Sequence, residues 1–207
     1  SWVKDVFEAN GETIRRDATL AYDYEGSTGY GGVAFTDDFS EEIDLAANEG
    51  MEPIYSRKYA GMDIGKREEV DFLGTNVGTN WRIIRYADVL LMLAEAQNEQ
   101  GKTAEAEALL NQVRDRAGVA QKTGMDQATM KQAIIEERVL ELSGESHRFF
   151  DLVRWGLADD YMGATSLHGD HPKSLSGGTF QTGKHEYIWI PDSELSANAN
   201  LSQNPGY

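Results

Sequence analysis

The chain has 207 residues, 40% of them hydrophobic, and carries 19 Lys plus Arg against 35 Asp plus Glu, a formal net charge of −16. That length suits one or two domains burying roughly 70% of the surface the unfolded chain exposes, and the composition excludes a wholly disordered chain. The charge argues against nucleic acid as a partner, and the absence of cysteine excludes disulfides, thiolate zinc sites and cysteine nucleophiles.

The chain opens Ser1-Trp2-Val3-Lys4, with no Met, no apolar signal segment and no lipidated cysteine, and reads as a processed or excised part of a longer protein. Residues 1–80 form a segment rich in strand and loop signals. Ala18 to Tyr24 alternates apolar and polar residues, and the glycine-laden run from Glu25 to Gly32 follows it, which predicts a short strand entering an exposed loop. The glycine run has no following Gly-Lys-Ser/Thr and is rejected as a phosphate cradle. Asp37 to Glu52 holds seven acids and no base. It reads as a solvated face, with a hard-cation site as the alternative.

Residues 81–156 carry the helical signal. Ile83, Ala87, Leu90, Leu91, Ala94 and Ala96 fall near helical spacing until Gly101 breaks it. A second helix is expected from Thr103, whose hydroxyl is a candidate cap, to Ala117 and Gly118, with Ala106, Leu109, Leu110 and Val113 as its buried stripe. Small Ala94 and Ala106 flank Gly101 as in a tetratricopeptide helix pair, where small residues let antiparallel helices approach; such a pair needs neighbours to cover its apolar face. A third helix is expected from the cap candidate Asp126 to Leu142, and Phe149 to Trp155 suggest a fourth. The longest apolar run, Val89 to Ala94, is six residues, against the roughly 20 of a membrane-spanning helix.

Residues 157–207 read as a long loop and a C-terminal strand and turn. Gly156 to Glu186 contains six glycines and three of the four histidines, the pattern of a long loop with at most a short hairpin. Tyr187 to Ile190 reads as a strand stopped by Pro191, with Asp192 or Ser193 capping one helical turn.

Several ordered blocks resemble the SusD/RagB family. They are Trp81 to Ala96 (WRIIRYADVLLMLAEA), Leu110 to Gly118 (LNQVRDRAG), Glu136 to Leu142 (EERVLEL), His147 to Gly156 (HRFFDLVRWG), and Ile190 to Glu194 (IPDSE) with the terminal QNPGY; Arg15 to Thr19 (RRDAT) also resembles the segment ahead of the family's strand. One departure is Gly144-Glu145-Ser146, where the family often has an aromatic, an acid and a glycine. The resemblance implies a mainly α fold of tetratricopeptide-like antiparallel helix pairs with long loops and a few short strands, an α/α superhelix. The whole chain would then be the C-terminal portion of a longer protein, without its lipidated N-terminus. The implied function is non-enzymatic: a surface-exposed outer-membrane lipoprotein of Bacteroidetes-type bacteria that captures oligosaccharides, or in some members peptides. It would deliver them to a SusC-like TonB-dependent transporter, touching the membrane only through a lipid anchor absent from this chain. The rivals are a tetratricopeptide adaptor binding protein segments, which predicts a solenoid without long loops, and a glycoside hydrolase with paired carboxylates.

The densest charge cluster is Glu136, Glu137, Arg138, Glu141, His147, Arg148, Asp151 and Arg154. Glu137 and Glu141, four apart on one helical face, could serve acid–base chemistry, with His147 joining them as a general base or metal ligand, but the two-histidine zinc motif and a neighbouring nucleophile are absent. Arginines forked onto carboxylates to fix helix packing are the favoured reading. His168, His171 and His185 are too weakly spaced for a metal site to be assigned, and no cofactor is expected. Sugar capture calls for flat aromatic faces. The candidate ligand-binding residues are Trp2, Tyr24 and Tyr30, chosen from aromatics outside the helical core that also include Tyr22, Tyr55 and Tyr59. Trp81, Trp155 and Trp189 fall in the family blocks and are expected to pack the core.

Overall fold

A computed structural model describes residues 2–28, 33–39, 54–58, 82–163 and 179–207. These divide into two compact units, residues 1–146 and 147–207. Helices dominate both, and among the described residues the sheet is an antiparallel pair of two-residue strands, β1 (Leu20–Ala21) and β2 (Tyr55–Ser56), with Leu20 opposite Ser56 and Ala21 opposite Tyr55. The strand expected over Ala18 to Tyr24 is shorter than its alternation suggested, because Ala18 and Thr19 complete a helix instead.

The first unit centres on α4 (Tyr86–Glu99), α5 (Thr103–Ala117) and α6 (Gln127–Leu142). Leu90, Leu91 and Ala94 of α4, Ala106, Leu110 and Val113 of α5, and Met130, Ala133 and Ile134 of α6 form one buried cluster. Ala94 and Ala106 are both fully buried, as the small-residue spacing of a close helix pair requires. Each larger aliphatic in this cluster contributes about 1.5–3 kcal/mol by leaving water. Ile83 and Ala96, placed on the same apolar pattern, are exposed. Ile83 precedes the helix, so its spacing does not aim it at the core.

Chain ends and corners explain where these helices start and stop. Asp126 caps α6 as expected, its carboxylate accepting from the Thr129 amide at 2.8 Å. Gly118, at φ 72°, closes α5 in the left-handed conformation that glycine adopts without a Cβ penalty. Thr103 does not cap α5: it is the first helical residue, and its hydroxyl donates to the Asn98 Oδ1 at 3.0 Å. Asn98 is buried, and it also donates to the Gln127 carbonyl at 2.9 Å while the Gln127 side chain donates back to the Asn98 carbonyl at 2.7 Å. A buried amide left unsatisfied costs more than a cap adds, so the hydroxyl is recruited there.

Two short helices, α1 (Trp2–Ala9) and α2 (Thr13–Thr19), lie ahead of β1, and a one-turn α3 (Phe35–Asp38) follows it. Phe7, Leu20, Tyr22 and Leu140 make a second buried cluster, while Phe39 stacks between Phe35 and Tyr55, its ring centroid 4.9 Å from each. Tyr22, grouped by sequence with the aromatics outside the core, is therefore a core residue.

In the second unit, α7 (Arg148–Arg154) and α8 (Ala158–Met162) bury Leu152, Ala158 and Phe180 together. The helix over Ala158–Met162 corrects the expectation of loop from Gly156 onward; residues 164–178 lie outside the described residues. Phe149 and Phe150, which helped to predict α7, are exposed on it. The C-terminal stretch runs through α9 (Asp192–Ala197). No strand forms over Tyr187 to Ile190. The backbone of Ile190 pairs instead with one side chain: its N–H donates to the Gln203 Oε1 at 2.8 Å and its carbonyl accepts from the Gln203 Nε2 at 2.9 Å. Neither Asp192 nor Ser193 caps α9; both lie inside the helix, and Pro191 holds the cap position without a side-chain bond.

Candidate functional site

The acids of α6 are held by four arginines from three other segments. Glu137, fully buried, accepts from Arg15 of α2 at 2.5 Å and from Arg114 of α5 at 2.6 Å. Glu141, one turn on, accepts from Arg85 at 2.8 Å and Arg116 at 2.5 Å, with Arg15 at 3.3 Å. Arg15 also forks onto the buried Glu12. Arg138 reaches Asp88 of α4 at 2.8 Å. Bidentate and bridged guanidinium contacts of this kind fix the angle between packed helices. Neither Glu137 nor Glu141 retains the open, water-facing geometry of a general acid or base. In the second unit Asp151 pairs with Arg154 at 2.9 Å.

The turn after α6 extends the network. Glu145 accepts from Lys58 at 2.6 Å and from Arg85 at 2.7 Å. Burial works to raise the Glu145 carboxyl, but the hydrogen bonds from Arg85 and Lys58 outweigh it and hold the group below the ordinary carboxylate range. Burial lowers the Lys58 ammonium, only partly offset by Glu145. For Arg15 burial disfavours the charge, and the carboxylates of Glu12 and Glu137 more than restore it. Ser146, where the family pattern has glycine, sits at φ 64°, alone among the described non-glycine residues in having a positive φ.

A cavity of about 250 Å³ opens on this network. Its walls carry the cationic Arg15, Arg57, Lys58, Arg82, Arg85 and Arg116, against the carboxylates of Glu141 and Glu145. A chain of net charge −16 thus concentrates positive charge at one concave place. A second cavity, about 350 Å³, is lined by Tyr86, Ala87, Leu90, Gln112 and Val113, and shares Arg85 and Arg116 with the first. Spacing along the chain missed both, because their walls come from segments far apart in sequence.

Of the three candidate ligand residues, Tyr24 is the one whose side chain lies among the described residues. Trp2 begins α1, Tyr24 follows β1, and Tyr30 lies outside the described residues. Tyr24 is half-buried, its ring 4.8 Å from that of Tyr22, with the Arg16 guanidinium 4.1 Å above it. Burial, aided by a hydrogen bond to Asp17, raises the Tyr24 hydroxyl above its ordinary value. Tyr55 is packed on Phe39, and Tyr59 lies outside the described residues. Of the tryptophans assigned to the core, Trp155 is half-buried with the Arg154 guanidinium 4.5 Å over its ring, and Trp81 lies outside the described residues. Trp189 is 60% exposed and corrects that assignment: falling within a family-like block does not supply the neighbours that would cover it.

His185 accepts from the Gln181 amide at 2.9 Å, while His168 and His171 lie outside the described residues, as does most of the acidic run from Asp37 to Glu52. Among the described residues no group of three His, Asp or Glu side chains is placed to hold a metal, and no helix is long and apolar enough to cross a membrane.

Comparison with known proteins follows the same lines. The chain is 34% identical over 179 residues, 82% of its length, to SusD-like protein P2 of Formosa agariphila, of which it covers 32%. It is 31% identical over 131 residues, 62% of its length, to the starch-binding protein SusD of Bacteroides thetaiotaomicron, of which it covers 22%. It thus spans about a third or less of the curated relatives it matches. Among solved structures, a SusD superfamily protein from Bacteroides vulgatus superposes on the whole chain with a TM-score of 0.80 at 27% identity, over 44% of that protein. Surface glycan-binding protein A from Bacteroides uniformis superposes on 97% of the chain with a TM-score of 0.61 at 26% identity, over 39% of its own length. A sequence model of the SusD family matches residues 7–207, and the chain belongs to the SusD family.

Proposed function

We propose that the chain is part of a non-catalytic nutrient-capture protein that binds oligosaccharides at the cell surface and passes them to a TonB-dependent outer-membrane transporter. The observation that carries this reading is the family match over residues 7–207, supported by relatives named for starch binding and for surface glycan binding. Location on the outer-membrane surface and a SusC-like transporter as partner belong to the same proposal.

The geometry supports capture over catalysis. The acids of α6 that sequence offered as an acid–base pair are committed to Arg15, Arg85, Arg114 and Arg116, so they serve as a rigid frame for the surrounding loops. Aromatic faces at Trp2, Tyr24 and Tyr30 are proposed as stacking surfaces for sugar rings, whose C–H faces pack on them while polar groups satisfy the hydroxyls. Native affinity gels containing single polysaccharides test this. Retardation of the chain by one glycan, reduced in Trp2→Ala, Tyr24→Ala or Tyr30→Ala, supports the reading. Retardation untouched by all three changes removes these residues from the binding surface.

A further inference from the structure

We infer that the paired cavities beside the turn after α6 form a subsite for an acidic sugar, with the carboxylate of a uronic-acid residue held between Arg82 and Arg116 and a sugar face against Tyr86. This rests on the glycan-capture reading and specifies the ligand class.

Charge is the first argument. Six cationic side chains line the 250 Å³ cavity against two carboxylates, and those carboxylates are already engaged. Glu145 is held by Lys58 and Arg85, and Glu141 by Arg85 and Arg116. Arg15 is balanced behind the wall by Glu12 and Glu137 and Arg57 holds Thr28, so the charge open to a ligand is that of Arg82 and Arg116, and a concave, partly desolvated site strengthens its pull on an anion. Arg82 is exposed and makes no ion pair with a described residue. The Arg116 side chain touches Glu141 yet is 61% exposed, so part of its donor fork faces outward. Planar guanidinium donors match a carboxylate in a fixed plane, as a point charge does not.

Size and shape give the second. Neither cavity is large enough for a long polymer segment, and the two share Arg85 and Arg116 as common wall. The neighbouring 350 Å³ cavity is more apolar, and Tyr86 on its wall is 73% exposed. A cationic clamp next to an exposed aromatic face is the combination that recognises a sugar bearing one carboxylate: charge at one end, C–H surface at the other. The overall charge of −16 repels a densely charged polyanion while leaving a singly charged residue free to enter.

Titration of the 207-residue chain with D-glucuronate, D-glucose and acetate, followed by nuclear magnetic resonance shifts of assigned amides, tests the inference. Glucuronate is expected to shift residues around Arg82, Tyr86 and Arg116, with binding weakened about tenfold or more in Arg82→Glu and by added salt. Glucose and acetate are each expected to bind at least about tenfold more weakly, since each lacks one half of the recognised group. Circular dichroism establishes that Arg82→Glu remains folded, and Tyr86→Ala provides an independent probe of the sugar face. Glucuronate binding unchanged in Arg82→Glu, or acetate binding as tightly as glucuronate, overturns the subsite. Capture of a neutral glycan that ignores Arg82→Glu overturns the subsite and leaves the capture reading intact. Glucuronate bound at Arg82 with no polysaccharide retained does the reverse.

Discussion

Arg15 of α2 and Glu137 of α6 are 122 positions apart in the chain and meet at 2.5 Å, both buried, with Arg114 on the other carboxylate oxygen at 2.6 Å. One carboxylate therefore joins an N-terminal helix to two helices of the central cluster. A buried pair of this kind adds little net stability relative to apolar side chains of the same volume, but breaking it leaves uncompensated charge inside the protein.

Glu137→Ala strands the guanidiniums of Arg15 and Arg114, and is expected to cost about 3–5 kcal/mol of unfolding free energy. Urea denaturation measures this directly. A loss below about 1 kcal/mol would show that the carboxylate does not hold these helices together.

Glu145 makes stability depend on acid. Its carboxyl is held below the ordinary value of 4.5 by Arg85 and Lys58 against the opposing effect of burial, so the folded chain binds fewer protons there than the unfolded chain. The contribution is fully present above pH 4.5 and is lost as pH falls through the folded-state value. The melting-temperature gap between wild type and Glu145→Gln is expected to be constant from pH 5.5 to 7 and to narrow below about 4.5. A gap that widens on acidification contradicts the assignment.

Ser146 occupies a left-handed backbone conformation, φ 64°, that costs a side-chain-bearing residue about 1 kcal/mol. Ser146→Gly is expected to raise stability by up to about that amount, the gain being reduced by the extra freedom of glycine in the unfolded chain. Thermal and urea unfolding of the single variant suffice. Destabilisation would mean that the serine side chain holds the turn.

Gln203 substitutes for a strand partner. Its amide satisfies both the N–H and the carbonyl of Ile190, and the Asn204 side chain donates to the Ile188 carbonyl at 2.6 Å. Gln203→Ala is expected to speed hydrogen exchange at the Ile190 amide by about tenfold or more while amides of α4 to α6 keep their protection. Unchanged exchange at Ile190 would show that the side-chain bridge does not protect it.

Local signals in the sequence were reliable where one or two neighbours decide the outcome. The Asp126 cap, the Gly118 helix end and the meeting of Ala94 with Ala106 all depend on residues within a turn or two, or on a repeated spacing. Features set by distant segments were not legible. The Thr103 hydroxyl is drawn away from its own helix end by buried Asn98. Tyr22 is covered by Phe7 and Leu140, from helices at either end of the first unit. Glu137 and Glu141 were visible as a charged helical face, but the arginines that engage them come from as far as Arg15, and no spacing rule links those positions. The basic cavity was hidden for the same reason: overall composition is strongly acidic, and only folding gathers Arg57, Lys58, Arg82 and Arg116 around one space.

The central claim is capture without catalysis, and the direct measurement is to incubate the purified chain with a panel of neutral and acidic polysaccharides, recording gel retardation and release of reducing ends in parallel. The account predicts retardation by at least one glycan with no release above the buffer control. Hydrolysis of any glycan, or no retardation across the panel, would contradict it.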